Sequence, residues 1–192
     1  LMGLAAKNIV KSSMELGGNA PCIIFDDADL DRAVEGVFLV KMRNGGQSCV
    51  AANRIYVQDG IADAFVEAFS EKMASVKLGA AIAEGADLGP VIDRRAVDRL
   101  SALVKDATDK GAELRAGGNA PDAPGYFFEA TVLDKVSADA DIAGTEIFGP
   151  VAAISRFSTQ AEALKVANDT PFGLASYVFT ENIHRGHRMI EK

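Results

Sequence analysis

The strongest constraint on this chain is a repeated alternation of short apolar runs with amphipathic stretches. In "NAPCIIFDDADLDRAVEGVFLVKMRNGG" the run from Cys22 to Phe25 is continuous and apolar, as in a strand buried on both faces. Asp27 or Asp29 can cap a helix after it, with Asp31 near that helix's N-terminal dipole. Leu30, Ala33, Val34, Val37 and Phe38 recur at helical spacing and form one apolar stripe. Asn44-Gly45-Gly46 stops the helix.

The same alternation runs to the end of the chain. "RIYV" reads as a strand and "ADAFVEAFSEKMASVKLG" as a helix ending at Gly79. "AAIAEGADLGPVID" is a loop, and "RRAVDRLSALVKDATDKG" is a helix closed by Gly111. "ELRAGG" and "YFFEATVL" read as strands around the loop "NAPDAPG", and "VAAISRF" as another. Ser158 is placed to cap "TQAEALKVAN", and "SYVFT" is a strand before the last helix. The pattern predicts an α/β fold, an open, largely parallel twisted sheet with flanking helices. No internal repeat interrupts it. No G-x-G-x-x-G follows a strand, and the glycine-rich "ELGGNAP" precedes one, so it is not a phosphate cradle.

Composition narrows the partners. The net charge of −7 opposes a surface that tracks phosphates, so no nucleic-acid partner is expected. No apolar run approaches bilayer length, and no basic-then-apolar leader opens the chain, so no membrane partner is expected. Two cysteines without framework spacing point to a reducing compartment, with the cytoplasm as default. Leu1 precedes the first methionine, and a helical pattern still runs at Lys192, so a piece of a longer protein is expected.

Chemistry concentrates in "RNGGQSCVAANR". Cys22, inside "PCIIF", reads as a small buried hydrophobe. Cys49 lies instead on a polar turn with Gly45, Gly46, Gln47 and Ser48, where a ligand can approach the backbone closely. Glu15 reads either as a solvated loop carboxylate or, between Met14 and Leu16, as a general base in an apolar setting. Glu146, in "GTEIFGPV", is either a strand-edge carboxylate or an acceptor for sugar hydroxyls, with Phe148 as an apolar platform. Arg43 can simply serve the helix C-terminus. His184 and His187 lie three apart without an evident third ligand, so no metal is expected.

Together, these motifs resemble the aldehyde dehydrogenase superfamily. "ELGGNAP", then "GQSC" with Cys49 34 residues after Glu15, then "EIFGPV" with Glu146 97 residues after Cys49, is similar to the family's order and spacing. "NDTPFGLASYVFT" resembles the family's turn near the end of the catalytic domain. Residues 1–36 and "KMRNGGQSCVAANRIYVQ" look most like succinate-semialdehyde dehydrogenases.

The resemblance implies NAD(P)-dependent oxidation of an aldehyde to a carboxylic acid, with succinate semialdehyde as the small-molecule substrate. It implies Cys49 as nucleophile and Glu15 as general base. It further implies Glu146, Phe148 and Leu16 at the NAD or NADP site, and Arg43 on the substrate's distal carboxylate. Residues 1–192 then correspond to the catalytic domain, truncated at both ends, of a homodimeric or homotetrameric protein. The cofactor-binding domain and the C-terminal oligomerisation segment lie outside it, and this fragment alone is expected to be inactive. Some relatives carry a second cysteine two places after the nucleophile, and here that place is Ala51. Three competing readings are a dehydrogenase for another aldehyde, a Cys-His hydrolase pairing Cys49 with His184 or His187, and a non-catalytic module with a structural Cys49.

Overall fold

The computed structural model describes residues 1–192. The apolar run around Cys22 forms β1 (Ala20–Ile24), and the striped segment after it forms α2 (Leu30–Met42). The other strands are β2 (Ala52–Gln58), β3 (Glu113–Ala116), β4 (Thr131–Asp134), β5 (Val151–Phe157) and β6 (Tyr177–Phe179). The other helices are α1 (Met2–Ala6), α3 (Asp59–Ala74), α4 (Arg94–Asp109), α5 (Asp141–Gly144), α6 (Gln160–Asn168) and α7 (Ile183–Glu191). No helix is long and apolar enough to cross a membrane.

One sheet holds all six strands in the order β3-β4-β5-β2-β1-β6. Every pairing is parallel except β3 with β4 at the edge. In register, Cys22 faces Ile55 on one side and Tyr177 on the other. Successive β1 residues serve opposite faces, which is why the run is apolar throughout. Cys22 and Ile24 pack with Ile55, Val57 and Ile154 and with Val34, Val37, Phe65 and Phe69 of α2 and α3. Ile23 and Phe25 pack on the other face with Phe157, Ala163 of α6 and Met189 of α7. Leu100 and Val104 of α4 cover Leu133, Val151 and Ala153 on a neighbouring patch.

The caps settle which expectations hold. The Asp29 carboxylate accepts from the Arg32 N–H at 2.9 Å and caps α2. Asp27 is used elsewhere, since it accepts from the Thr180 hydroxyl and pairs with Arg185 of α7 at 2.8 Å. Asp93 caps α4 by accepting from the Ala96 N–H at 2.8 Å. For α6 the cap is Thr159, one residue later than expected, because the Ser158 hydroxyl is engaged with Asp59. The expected strand at 126–133 is shorter. Gly117 and Gly118 turn left-handed, at φ +65° and +99°, and end β3 at Ala116. Residues 126–130 therefore have no ladder partner, and Phe128 packs into the α4 core instead.

Two cations are buried in this frame. Arg54 has no carboxylate partner. Its guanidinium donates to the carbonyls of Asn19 (3.0 Å), Val166 (2.8 Å) and Ala167 (2.9 Å). It thus ties β2 to the entry of β1 and to the last carbonyls of α6, where a cation also favours the helix dipole. Lys41 is different. It falls four residues after Val37, on the buried stripe of α2, and its ammonium has no hydrogen-bond partner. Burial pulls its pKa down to about 7.

The sign of the Lys41 effect is fixed. The unfolded chain keeps this lysine protonated up to about pH 10.4, whereas the folded chain releases the proton near 7. The destabilisation is fully present below pH 7 and fades as the pH rises toward the unfolded value. Lys41→Met should remove a stability gain of roughly 2–3 kcal/mol between pH 7 and pH 9. Urea unfolding of both proteins at the two pH values measures it.

Candidate active site

The parallel strands bring their amino ends to one edge of the sheet. The segments that enter β1, β2, β5 and β6 therefore meet there, although they are far apart in sequence. Glu15 and Leu16 precede β1, Cys49 precedes β2, and Glu146 and Phe148 precede β5. Doubly wound sheets usually bind ligands at the opposite, carboxyl, edge. The chemistry-bearing residues of this chain collect at the amino edge.

The turn carrying Cys49 is built by glycine geometry. After α2, Asn44, Gly45 and Gly46 all adopt left-handed backbone, at φ +53°, +61° and +73°. That region suits glycine and asparagine. The Asn44 side chain donates to the Gln47 carbonyl at 2.9 Å, and the Gln47 side chain accepts from the Ile92 N–H at 3.1 Å. Next, the Ala51 N–H donates to the Ser48 carbonyl at 3.0 Å, closing a turn with Cys49 at its second position. Cys49 is partly exposed, and its own N–H makes no hydrogen bond within the chain. Cys22 is fully buried, and desolvation pushes its thiol pKa far above the usual range.

Two glycines bring the entry of β1 into contact with the entries of β2 and β5. A Cβ added to Gly18 would lie 2.3 Å from the Cys49 carbonyl oxygen, and one added to Gly17 would lie 2.5 Å from Oε2 of Glu146. The Gly18 N–H donates to Oε1 of Glu146 at 2.9 Å. Arg99 of α4 donates to the Glu146 backbone carbonyl at 3.2 Å. Two residues on, Phe148 sits at φ +48°, between buried Ile147 and buried Gly149, with its ring partly exposed. The β1, β2 and β5 entries thus form one packed unit around Cys49 and Glu146.

Other expected residues lie differently. Glu15 is exposed, and Leu16 is 70% exposed, so the apolar enclosure expected of Glu15 is not formed. Residues 11–17 run along the surface, and burial begins only at Gly18. Arg43 is exposed at the start of the left-handed turn. His184 and His187 are exposed in the first turns of α7, which starts beyond the carboxyl end of β6, at the edge away from Cys49. The hydrolase pairing is therefore not assembled. Gly17, Gly18 and Tyr177 were not anticipated. Tyr177 opens β6, and its hydroxyl donates to the carbonyl of Val50, next to Cys49. The tyrosine's place at a strand start was visible in "SYVFT", but its partner was not.

The family model for the aldehyde dehydrogenase family matches residues 1–192. The chain belongs to the aldehyde dehydrogenase family. It is 49% identical over 191 residues to a glutarate-semialdehyde dehydrogenase of Pseudomonas putida, with 100% of this chain and 39% of that protein covered. It is 50% identical over 191 residues to a 3-sulfolactaldehyde dehydrogenase of Pseudomonas putida, with the same coverage. The crystal structure of a succinate-semialdehyde dehydrogenase from Burkholderia pseudomallei superposes with a TM-score of 0.96 at 44% identity. That match covers 99% of this chain and 39% of the other. The chain spans about two fifths of the length of the curated relatives it matches. The mostly parallel sheet with flanking helices is the architecture shared with these aldehyde dehydrogenase structures.

The Gly18 contact gives a direct test of the packed unit. Gly18→Ala places a methyl group against the Cys49 carbonyl, where neither backbone segment can yield cheaply. It should lower stability by about 1–3 kcal/mol, as overpacking does. Urea denaturation of the two proteins reads that loss.

Proposed function

We propose that residues 1–192 are the catalytic domain of a nicotinamide-dependent aldehyde dehydrogenase that oxidises succinate semialdehyde to succinate. The observation that carries this reading is the meeting of Cys49, Gly17, Gly18 and Glu146 at one sheet edge, with Gly18 in contact with both Cys49 and Glu146 and Glu15 three residues before it. Membership of the family supports it, as do relatives whose names denote aldehydes bearing a second, acidic group.

The roles follow from residue chemistry. The Cys49 thiolate attacks the aldehyde carbon, forming a C–S bond. The carbonyl oxygen takes up negative charge, and the unpartnered N–H of Cys49 is a donor for it. Glu15, exposed three residues before Gly18, takes a proton from water. Once the adduct has lost hydride, a thioester remains; that water attacks its carbon, the C–S bond breaks, and the acid and the Cys49 thiolate are released.

The residues present fit the nicotinamide end of a dinucleotide. One oxygen of Glu146 is anchored by the Gly18 N–H, which leaves Oε2 to accept from ribose hydroxyls. Phe148, two residues on, presents a partly exposed aromatic ring, and Leu16 an exposed apolar side chain. The chemistry a nicotinamide supplies when bound is acceptance of hydride from the Cys49 adduct. NAD and NADP are both compatible with these residues.

Arg43 is the proposed specificity residue. It ends the helix that delivers the chain to Cys49, and a guanidinium grips a carboxylate with two parallel hydrogen bonds. Glutarate semialdehyde and 3-sulfolactaldehyde also carry an acidic group away from the aldehyde, so the same cation serves that wider class.

In the complete protein, Cys49→Ser should abolish aldehyde oxidation. Glu15→Gln should leave a rapid burst of reduced cofactor followed by a slow steady state. Stopped-flow absorbance measures both, and an active Cys49→Ser enzyme would remove the nucleophile assignment.

Arg43→Ala should lower kcat/KM for succinate semialdehyde by about tenfold to a hundredfold, the worth of one charged hydrogen bond. Butanal, which lacks the carboxylate, should lose far less. Equal losses on the two substrates would leave Arg43 as a helix-end cation only.

A further inference from the structure

Four of the backbone groups around Cys49 are already tied. The Ala51 N–H closes the turn onto Ser48, the Val50 N–H reaches the Ser48 hydroxyl at 3.4 Å, and the Cys49 carbonyl packs on Gly18. The fourth tie comes from another strand. The Tyr177 hydroxyl donates to the Val50 carbonyl at 2.7 Å, from a residue 127 positions away in sequence. The Val50–Ala51 peptide is thus held at both ends, its carbonyl by β6 and its N–H by the turn.

We propose that Tyr177 is a positioning residue that fixes the Cys49 turn, through the Val50 carbonyl, in the orientation needed for attack. This rests on the reading of Cys49 as nucleophile. The hydroxyl is the only polar group on this side chain, so its whole effect passes through one hydrogen bond. The ring is anchored independently, because Tyr177 pairs in register with Cys22 of β1 and its side chain packs against the core cluster that holds Cys22. Tyr177 remains a donor over the working range. Burial, and then the neighbouring Cys22 and Cys49 thiols, raise its pKa, with Arg43 opposing them. A pinned peptide next to the nucleophile holds the thiol and the Cys49 N–H in a fixed relation, so that sulfur and oxyanion donor face one carbonyl group together.

The test is Tyr177→Phe in the complete enzyme, with Tyr126→Phe as a control for loss of a hydroxyl at an exposed ring. Removing the hydroxyl should lower kcat by about tenfold, a modest fraction of what misplacement of a catalytic group can cost. KM and the urea midpoint should change little. Alkylation of Cys49 by iodoacetamide without cofactor should stay within about twofold of the parent rate, because a small reagent needs the thiolate but not its orientation.

A kcat within about twofold of the parent would overturn the proposal, as would alkylation that falls in parallel with kcat. Cys49→Ser is measured alongside. If it retains activity, the nucleophile reading fails and takes the proposal with it. If it is inactive while Tyr177→Phe is unimpaired, only the role of Tyr177 fails.

Discussion

Backbone-on-backbone contact at glycine is the constraint on which the site depends. Gly18 lies against the Cys49 carbonyl, and Gly46 lies so close to Gly149 that an added Cβ would be 2.1 Å from its carbonyl oxygen. These two contacts bind the entries of β1, β2 and β5 to one another. Every side chain at the site inherits its place from them, because each stands within a few residues of a contact. The sheet supplies the other half of the arrangement, since parallel pairing puts those entries on the same edge.

The elements around the site were legible where geometry imposes a period. The run Cys22–Phe25 and the stripe from Leu30 to Phe38 follow strand and helix spacing, and both formed as expected. The amino-edge location of Cys49 and Glu146 follows from the order of elements, because each motif precedes a strand. Lys41 was legible in principle, since it continues the buried stripe of α2 one turn beyond Val37.

What was not legible depends on tertiary contact. The apolar flanks of Glu15 suggested burial, but flanking residues cannot say whether a segment lies on the surface. The length of β4 depends on left-handed glycines that end its neighbour β3, a relation that no local pattern encodes. Tyr177 meets Val50 only because β6 is laid beside β1. A pairing that distant in sequence has no period to betray it.

Phe148 carries a consequence of a different kind. Its backbone sits at φ +48°, where an L-residue with a Cβ is disfavoured by about 1–2 kcal/mol. Glycine would hold the same bend without that strain, and asparagine with less. Variants chosen for thermal tolerance alone would therefore drift toward glycine at this position. They would gain a more relaxed bend and lose the exposed ring two residues after Glu146, so heat resistance and the cofactor contact proposed for this ring pull the residue in opposite directions.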